Sequence, residues 1–113
     1  MAIFLVRHAK AGSRSAWTDS DSTRPLDNSG LRQATAIAQH WGHAAPVAVF
    51  SSPRLRCVQT VTPLADRFGM EVQVEPDIEE DTPFERALRV VEDAADGTVF
   101  CSHGDVIPDV IDA

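Results

Sequence analysis

Four short apolar runs alternate with three helical patterns along this chain, and this order constrains the fold more than any other feature. The runs lie at residues 2–7, 47–51, 71–74 and 98–102. Each has the length and composition of a strand, and the third alternates apolar and polar residues as an edge strand does. The order predicts an α/β fold: a three-layer sandwich whose central sheet is mainly parallel.

Apolar residues between these runs recur at spacings of three and four, which is typical of a helix with one buried face. Gly42, Gly69 and Gly97 stand just past the predicted helix ends, and Pro53 and Pro83 stand near two of the starts. The three sets of predicted buried residues are Leu31, Ala34, Ala38 and Trp41; Val58, Val61, Ala65 and Phe68; and Phe84, Ala87, Leu88, Val91 and Ala95.

Length and composition indicate one domain of ordinary character. The chain has 113 residues, 43% of them hydrophobic and 24% charged. No apolar run approaches the roughly 20 residues of a membrane span. The first residues lack the features of a secretory signal, so we expect a cytoplasmic protein. We predict a single domain over residues 1–113 and expect it to be incomplete at its C-terminus, because the chain stops where a fourth helix would begin.

The net charge of −7 is unevenly distributed along the chain. Residues 1–56 carry seven basic and three acidic side chains (+4), whereas residues 57–113 carry three and fourteen (−11). An acidic chain is a poor partner for a nucleic acid polymer, which is bound by clustered Lys and Arg. The positive excess in the first half indicates a local site for a small anion, since the local field governs capture.

We assign no chemical role to the two cysteines or to two of the four histidines. Cys57 and Cys101 are too few for a disulfide framework or a cysteine-based zinc set, so we interpret both as buried free thiols. His40 and His43, near a predicted helix end, are interpreted as structural or exposed. No histidine pair is spaced along one helix face, so we expect no metal in the site.

Basic and polar residues follow three of the predicted strands. The carboxyl ends of parallel strands share one edge of the sheet, where ligands bind, so we expect these residues to converge. Guanidinium groups pair with phosphate oxygens, and a glycine lets the backbone approach a ligand closely. The pattern predicts a site for a phosphate dianion. Its residues are Arg7 and His8 after the first strand, Arg54 and Arg56 after the second, and His103 and Gly104 after the last.

At these positions the chain resembles the histidine phosphatase superfamily, which implies a phosphoglycerate mutase-like fold. The absence of large insertions makes it most similar to the small SixA-type phosphohistidine phosphatases. Residues 7–12, with Trp17, Asp21 and residues 24–26, are also similar to the phosphatase half of actinobacterial proteins that fuse it to a Nudix domain. The elements that carry the resemblance are Arg7-His8, Ser52-Pro53-Arg54-Leu55-Arg56 followed by Gln59-Thr60, and His103-Gly104.

The resemblance implies a role for each member of the constellation. His8, held in one tautomer by a backbone partner, would attack phosphorus and carry the phosphoryl group. Arg7, Arg56 and a protonated His103 would neutralise the phosphoryl oxygens, so that no metal or other cofactor is required.

The resemblance also nominates the acid that protonates the leaving group. The segment 78–80 matches the element where many members carry this acid, and the matching side chain is Glu80. Asp105, beside His103, is the alternative.

Residues 9–28 have no periodicity and predict a long loop, which in so small a domain is usually functional or mobile. Lys10, Arg14 and Arg24 either hold the rest of the substrate or are solvated. Trp17 either stacks on a base or anchors the loop, and Arg54 is either an exposed helix-start residue or a substrate contact.

Two classes of substrate stay open at this point, and so does a non-enzyme alternative. The first class is a protein phosphohistidine or a small phosphoester, as for SixA-type members. The second is a nucleoside diphosphate or other nucleotide, which the basic loop would enclose. The non-enzyme alternative is a phosphate-binding module or pseudo-enzyme.

Overall fold

The computed structural model describes residues 3–13, 17–104 and 107. Two short 3-10 helices, Asp21–Thr23 and Pro76–Ile78, lie in the connections. Among these residues, no helix combines the length and the apolar character needed to cross a membrane. The strands within them are β1 (Phe4–Arg7), β2 (Ala48–Ser51), β3 (Val72–Val74) and β4 (Thr98–Ser102), and the α-helices are α1 (Asn28–Gln39), α2 (Leu55–Arg67) and α3 (Phe84–Glu92).

The four strands form one parallel sheet in the order β1-β4-β2-β3. Strand β4 lies between β1 and β2, and all five of its residues are buried. Strand β3 lies at the edge next to β2, and its Val74 is 56% exposed. The predicted α/β fold, the parallel sheet and the edge position of the third strand are therefore confirmed.

Helices cover both faces of the sheet, which gives the predicted three layers. One face packs against α1 and α2, where Val99 belongs to the same apolar core as Ala38 of α1 and Val61 of α2. The other face packs against α3, where Phe100 and Ala87 belong to a second core and Phe50 stacks on Phe100 at 5.5 Å. Successive side chains of a strand point to opposite faces, so β4 contributes to both cores.

Helix α1 buries a line of small residues spaced four apart, Gly30, Ala34 and Ala38. Leu31 lies one position off this line and is 44% exposed, so its predicted burial was wrong. The helix begins where it does because the Asp27 carboxylate accepts a hydrogen bond from the Gly30 N–H at 2.8 Å. Small residues on the buried line allow α1 to approach the neighbouring backbone closely.

Two other predicted helix faces extend too far. Helix α1 ends two residues before Trp41, which instead packs its ring edge-on against Phe4 at 5.0 Å from the following loop. Helix α3 ends three residues before Ala95, which is exposed. Phe84 is the first residue of α3. It is 41% exposed rather than buried, whereas Ala87, about one turn later, is fully buried.

The predicted stop signals have mixed outcomes. Gly69 closely follows α2 with a φ of 66°, a left-handed conformation that favours glycine after a helix. Gly42 and Gly97 stand three and five residues past the ends of α1 and α3, so neither stops a helix. Pro53 and Pro83 precede the starts of α2 and α3, as expected.

Replacing Gly30 by alanine is expected to destabilise the fold by about 1–3 kcal/mol. A Cβ at this position would lie 1.9 Å from the carbonyl oxygen of Lys10, so the loop after β1 or helix α1 must move. The measurement is the free energy of unfolding in urea. The matched control is Gly12→Ala, because a Cβ there meets nothing within 4 Å. Equal stability of the two variants would contradict the close approach of α1 to the loop.

Candidate active site

The predicted residues lie after three adjacent strands, at the carboxyl edge of the sheet. The His8 N–H donates to the Ser102 carbonyl at 3.1 Å, and the Ser52 N–H donates to the Cys101 carbonyl at 3.0 Å. These bonds continue the strand ladders one step past β1 and β2 and so fix the segments on either side of β4. The structure therefore brings His8, Arg56 and His103 to one region, although they come from distant parts of the sequence.

The side chain of His8 has a defined tautomer. Its Nδ1 lies 2.8 Å from the carbonyl oxygen of Ala9, and only a protonated nitrogen can donate to that oxygen. The Nε2 atom of the neutral ring therefore carries the lone pair. Ala9 is itself fixed, because its N–H donates to Oγ1 of Thr60 on α2 at 2.9 Å. This carbonyl is the backbone partner that the sequence could not identify.

Burial lowers the pKa of His8 below its ordinary value of 6.5. The hydrogen bond to Ala9 and the charge of Cys57 act in the opposite direction, whereas the charges of His103 and Arg56 lower the pKa further. Desolvation has the largest effect because a half-buried ring loses more hydration when charged than when neutral. The environment thus favours the neutral imidazole.

His103 is almost completely buried beside His8. The two ring centroids are 5.5 Å apart with an angle of 66° between the planes. The Nε2 atom of His103 lies 2.8 Å from Oγ of Ser52 and 3.6 Å from Sγ of Cys57. Ser52 belongs to a segment that carried the resemblance, but no contact in the site was predicted for it or for Cys57. The usable signal was their position, since Ser52 directly follows β2 and Cys57 lies in the first turn of α2.

Both cysteines are free and buried, as predicted. They also contact each other. The hydrogen bond between the thiols lowers the pKa of Cys57 and raises the pKa of Cys101 well above its ordinary value. Because Cys57 also contacts His103, it belongs both to the surroundings of that histidine and to the apolar core.

Arg7 and Gly104 are in direct contact. A Cβ on Gly104 would lie 3.0 Å from Cζ and 3.1 Å from Nε of Arg7. The glycine therefore lets the guanidinium lie against the turn after β4. Arg7 is exposed, so its guanidinium remains accessible to an anion from solvent.

Arg56 is fully buried and surrounded by oxygen acceptors. Its Nη1 donates to the Asp21 carbonyl at 2.9 Å, and its Nη2 donates to Asp21 Oδ2 at 3.2 Å and to Glu80 Oε2 at 3.1 Å. Among the residues that the structure describes, no group accepts a hydrogen bond from Nε of Arg56. The predicted acid Glu80 is thus brought next to the predicted phosphate-binding arginine.

A family model described as "Histidine phosphatase superfamily (branch 1)" matches residues 3–82, which is most of the chain. The chain belongs to the histidine phosphatase superfamily. Of the residues that carried the resemblance in the sequence, Arg7, Arg56 and His103 lie near His8 in the structure.

Individual relatives match the chain along nearly its whole length. The chain is 30% identical over 116 residues to an 8-oxo-(d)GTP phosphatase of Mycolicibacterium smegmatis, and the match covers 97% of this chain and 36% of that protein. The chain therefore spans about a third of that relative. A SixA structure from Nakamurella multipartitia has a TM-score of 0.74 at 29% identity, covering 96% of this chain and 62% of that one.

A second solved structure establishes the fold independently of sequence identity. The SixA protein of Agrobacterium tumefaciens superimposes with a TM-score of 0.83 at 23% identity, covering 97% of this chain and 73% of that chain. The predicted phosphoglycerate mutase-like architecture is confirmed by this match.

The substrate-binding candidates in the long loop have different surroundings. Lys10 is exposed, with Nζ 3.8 Å from Asp27 Oδ2. Trp17 donates from Nε1 to the Ser20 carbonyl at 3.0 Å, a contact within the loop that supports the anchoring interpretation. Arg14 lies outside the described residues, and so does the alternative acid Asp105.

A cleft of about 390 Å³ opens beside His8 on the side of the long loop. It brings Lys10 together with Arg24, for which the sequence left the same two interpretations open, and with Gln33, for which the sequence predicted no role. Its lining consists of Arg7, His8, Ala9, Lys10, Ala11, Arg24 and Gln33. The cleft combines basic and amide side chains directly next to the histidine.

Arg54 belongs to an ion-pair network rather than to the open surface. It is the residue that precedes α2, its Nε lies 2.8 Å from Glu79 Oε1, and its Nη1 lies 3.4 Å from Asp21 Oδ2. Its side chain is only 20% exposed, so the interpretation as an exposed helix-start residue was wrong. A contact of Arg54 with substrate stays a prediction.

Proposed function

We propose that this chain is a metal-independent phosphatase that acts through a phosphohistidine on His8, as expected for a SixA-like member of the superfamily. The observation that carries the proposal is the hydrogen bond from Nδ1 of His8 to Ala9. It leaves a neutral Nε2 with its lone pair on a ring that packs against His103, shares a cleft with Arg7 and lies within the field of Arg56. A neutral nitrogen in a cationic pocket is suited to attack a phosphoryl group.

The first step transfers the phosphoryl group to the protein. The Nε2 lone pair of His8 attacks phosphorus, a P–N bond forms, and the P–O bond to the leaving group breaks. The leaving oxygen takes a proton from Glu80. In the second step Glu80 removes a proton from water, the resulting nucleophile attacks phosphorus, and the P–N bond breaks. Inorganic phosphate leaves, and His8 regains its lone pair.

Charge neutralisation in this proposal comes from the side chains themselves. The oxygens of the phosphoryl group are negatively charged throughout the transfer, and guanidinium groups pair with them in a fixed fork. Arg7 would bind from the solvent side and Arg56 from the buried side, with His103 as the third donor. These groups supply the charge that magnesium supplies in many phosphoryl-transfer enzymes, so no metal is required.

Replacing Glu80 by glutamine is expected to slow poor leaving groups more than good ones. Glutamine has nearly the same shape and keeps an acceptor for Arg56, but it cannot donate a proton in an acid role. The measurement is kcat/KM for an alkyl phosphate and for a nitrophenyl phosphate. Glu79→Gln serves as the control, because Glu79 pairs with Arg54 instead. Equal slowing of both substrates would remove Glu80 from the acid role.

The ring of His8 is expected to gain its second proton only below pH 6.5, because burial lowers its pKa. Protonation of Nε2 removes the nucleophilic lone pair, so the active form persists as the pH falls from 7.5 to 6.5 and is lost below. The measurement is an NMR titration of the imidazole resonances, which does not depend on the ionisation of a substrate. A midpoint at or above 6.5 would contradict the predicted direction.

Two substrate classes have support, and the first is preferred. A protein phosphohistidine or small phosphoester suits the open cleft next to His8 and the similarity to SixA proteins. A nucleotide is the alternative, because Lys10, Arg24 and Gln33 line the cleft and because the M. smegmatis relative is named for a nucleotide substrate. A comparison of kcat/KM for a phosphohistidine peptide and for a set of nucleotides distinguishes them.

The decisive experiment is quenched steady-state trapping with a ³²P-labelled phosphoester in the presence of EDTA. Phosphohistidine is stable in base and labile in acid, so base-stable, acid-labile label on the protein is the expected result. Label that appears only without EDTA would contradict the metal-independent mechanism. A folded protein that binds inorganic phosphate but neither hydrolyses the ester nor takes up label would favour the phosphate-binding module.

A further inference from the structure

The carboxylate of Asp21 contacts three guanidinium groups at once. Asp21 begins a 3-10 helix in the long loop, and its side chain lies 3.0 Å from Nε of Arg24, 3.4 Å from Nη1 of Arg54 and 3.2 Å from Nη2 of Arg56. Its carbonyl oxygen also accepts from Nη1 of Arg56 at 2.9 Å. Asp21 belongs to the segment that resembles the Nudix-fused phosphatases, but that resemblance implied no role for it.

Asp21 accepts hydrogen bonds from the two terminal nitrogens of the Arg56 guanidinium but not from Nε. Both terminal nitrogens, Nη1 and Nη2, donate to Asp21, and Nη2 also donates to Glu80. Nε of Arg56 is buried and has no acceptor among the described residues. A buried donor without an acceptor is unfavourable, so this N–H is the group on Arg56 for which an incoming anion offers the greatest gain.

We propose that Asp21 is a positioning residue that holds Arg56 by its two terminal nitrogens, so that the Nε–H is presented to a phosphoryl group. Through Arg54 the same carboxylate ties the long loop to the start of α2, and its ion pair with Arg24 is a contact within the loop. The proposal rests on the proposed phosphatase function only in that a phosphate group is the anion that Arg56 meets. Asp21 itself contacts no substrate in this scheme.

Simple electrostatics and positioning predict opposite effects for the variant Asp21→Asn. Removal of a negative charge next to Arg56 would by itself attract phosphate more strongly. Loss of the charge-assisted hydrogen bonds lets the guanidinium reorient, and displacement of a binding group by about 1 Å can cost a hundredfold in rate. Positioning therefore predicts weaker phosphate binding, although the site becomes more positive.

The test combines NMR of the arginine Nε–H groups with titration of inorganic phosphate. In the wild type we expect phosphate to shift the Arg56 Nε–H resonance and to slow its exchange with water. In Asp21→Asn we expect about a tenfold higher Kd for phosphate and faster exchange of that proton, with the larger part of any activity loss in kcat. Asp21→Glu, which keeps the charge, should restore part of the affinity.

Two controls separate positioning from a general structural effect. Asp19→Asn removes the same charge from an exposed position in the same loop and should leave phosphate binding unchanged. In an Arg56→Lys background, Asp21→Asn should change the Kd by less than about twofold, because a residue that acts through Arg56 has no independent effect.

Results that contradict the role of Asp21 differ from results that contradict the proposed phosphatase function. Phosphate binding that shifts the Arg56 Nε–H, without turnover, would overturn the phosphatase proposal and leave the role of Asp21 intact. An Arg56 Nε–H that does not respond to phosphate in the wild type would overturn the positioning proposal whatever the turnover, even if Asp21→Asn does not fold. Equal or tighter phosphate binding by folded Asp21→Asn would overturn it as well.

Discussion

Replacing His8 by alanine is expected to abolish phosphatase turnover and phosphohistidine formation, while binding of inorganic phosphate persists. Alanine removes the side chain that is proposed to form the bond to phosphorus in the first step, whereas Arg7, Arg56 and His103 remain. Without the nucleophile, only binding and electrostatic stabilisation accelerate the reaction, and together they account for a small part of the total rate enhancement. The measurements are steady-state kinetics and base-stable labelling of the protein, with phosphate affinity determined by calorimetry.

His40→Ala is the matched control for this prediction. His40 is exposed where α1 ends, and the substitution removes an imidazole of the same size without touching the site. Its turnover should equal that of the wild type. Unchanged turnover in His8→Ala would exclude phosphoryl transfer to His8, whatever the fate of the other predictions.

Replacing Arg56 by lysine is expected to lower kcat/KM by about a hundredfold to a thousandfold. Lysine keeps the charge but loses the planar fork, so one ammonium group cannot serve Asp21, Glu80 and a phosphoryl group together. The measurements are kcat/KM and the inhibition constant of inorganic phosphate, and both are expected to deteriorate. Arg56→Ala is less informative, because it removes a fully buried side chain together with its hydrogen bonds to Asp21 and Glu80 and so also destabilises the fold.

The control for this substitution is Arg32→Lys, an identical change at an exposed position of α1. Urea denaturation of both variants separates a loss of activity from a loss of folded protein. Wild-type kcat/KM in a folded Arg56→Lys protein would show that the fork geometry of Arg56 has no part in catalysis.

The sequence predicted the general fold because apolar runs and helix faces are local signals. The central position of β4 was not predictable in the same way, since each of the short runs satisfies several strand orders equally well. Leu31 and Phe84 show another limit, because spacing alone does not decide which of two neighbouring helix stripes meets the sheet. Small residues decided it in α1, where the Gly30 line makes the close contact.

The candidate site was predictable where residues directly follow strands. Arg7, His8 and His103 belong to this group, because the end of a strand fixes where they lie. The surroundings of Arg56 were not predictable, since Asp21 and Glu80 reach it from two separate loops. Pairings of this kind depend on the path of the loops, for which the sequence carries no periodic signal.

One hydroxyl group joins the two halves of the proposed chemistry. Thr60 accepts the Ala9 N–H and donates to the Arg56 carbonyl at 2.7 Å, one helical turn away on α2. The spacing between the backbone of Ala9, next to the nucleophile, and the backbone of Arg56 is thus set by the rise of a single helix turn, which is a constant of the backbone. Divergence toward new substrates in a chain built this way is therefore expected at cleft side chains such as Lys10 and Gln33, which can vary without altering that spacing or the contacts of Asp21 with Arg56.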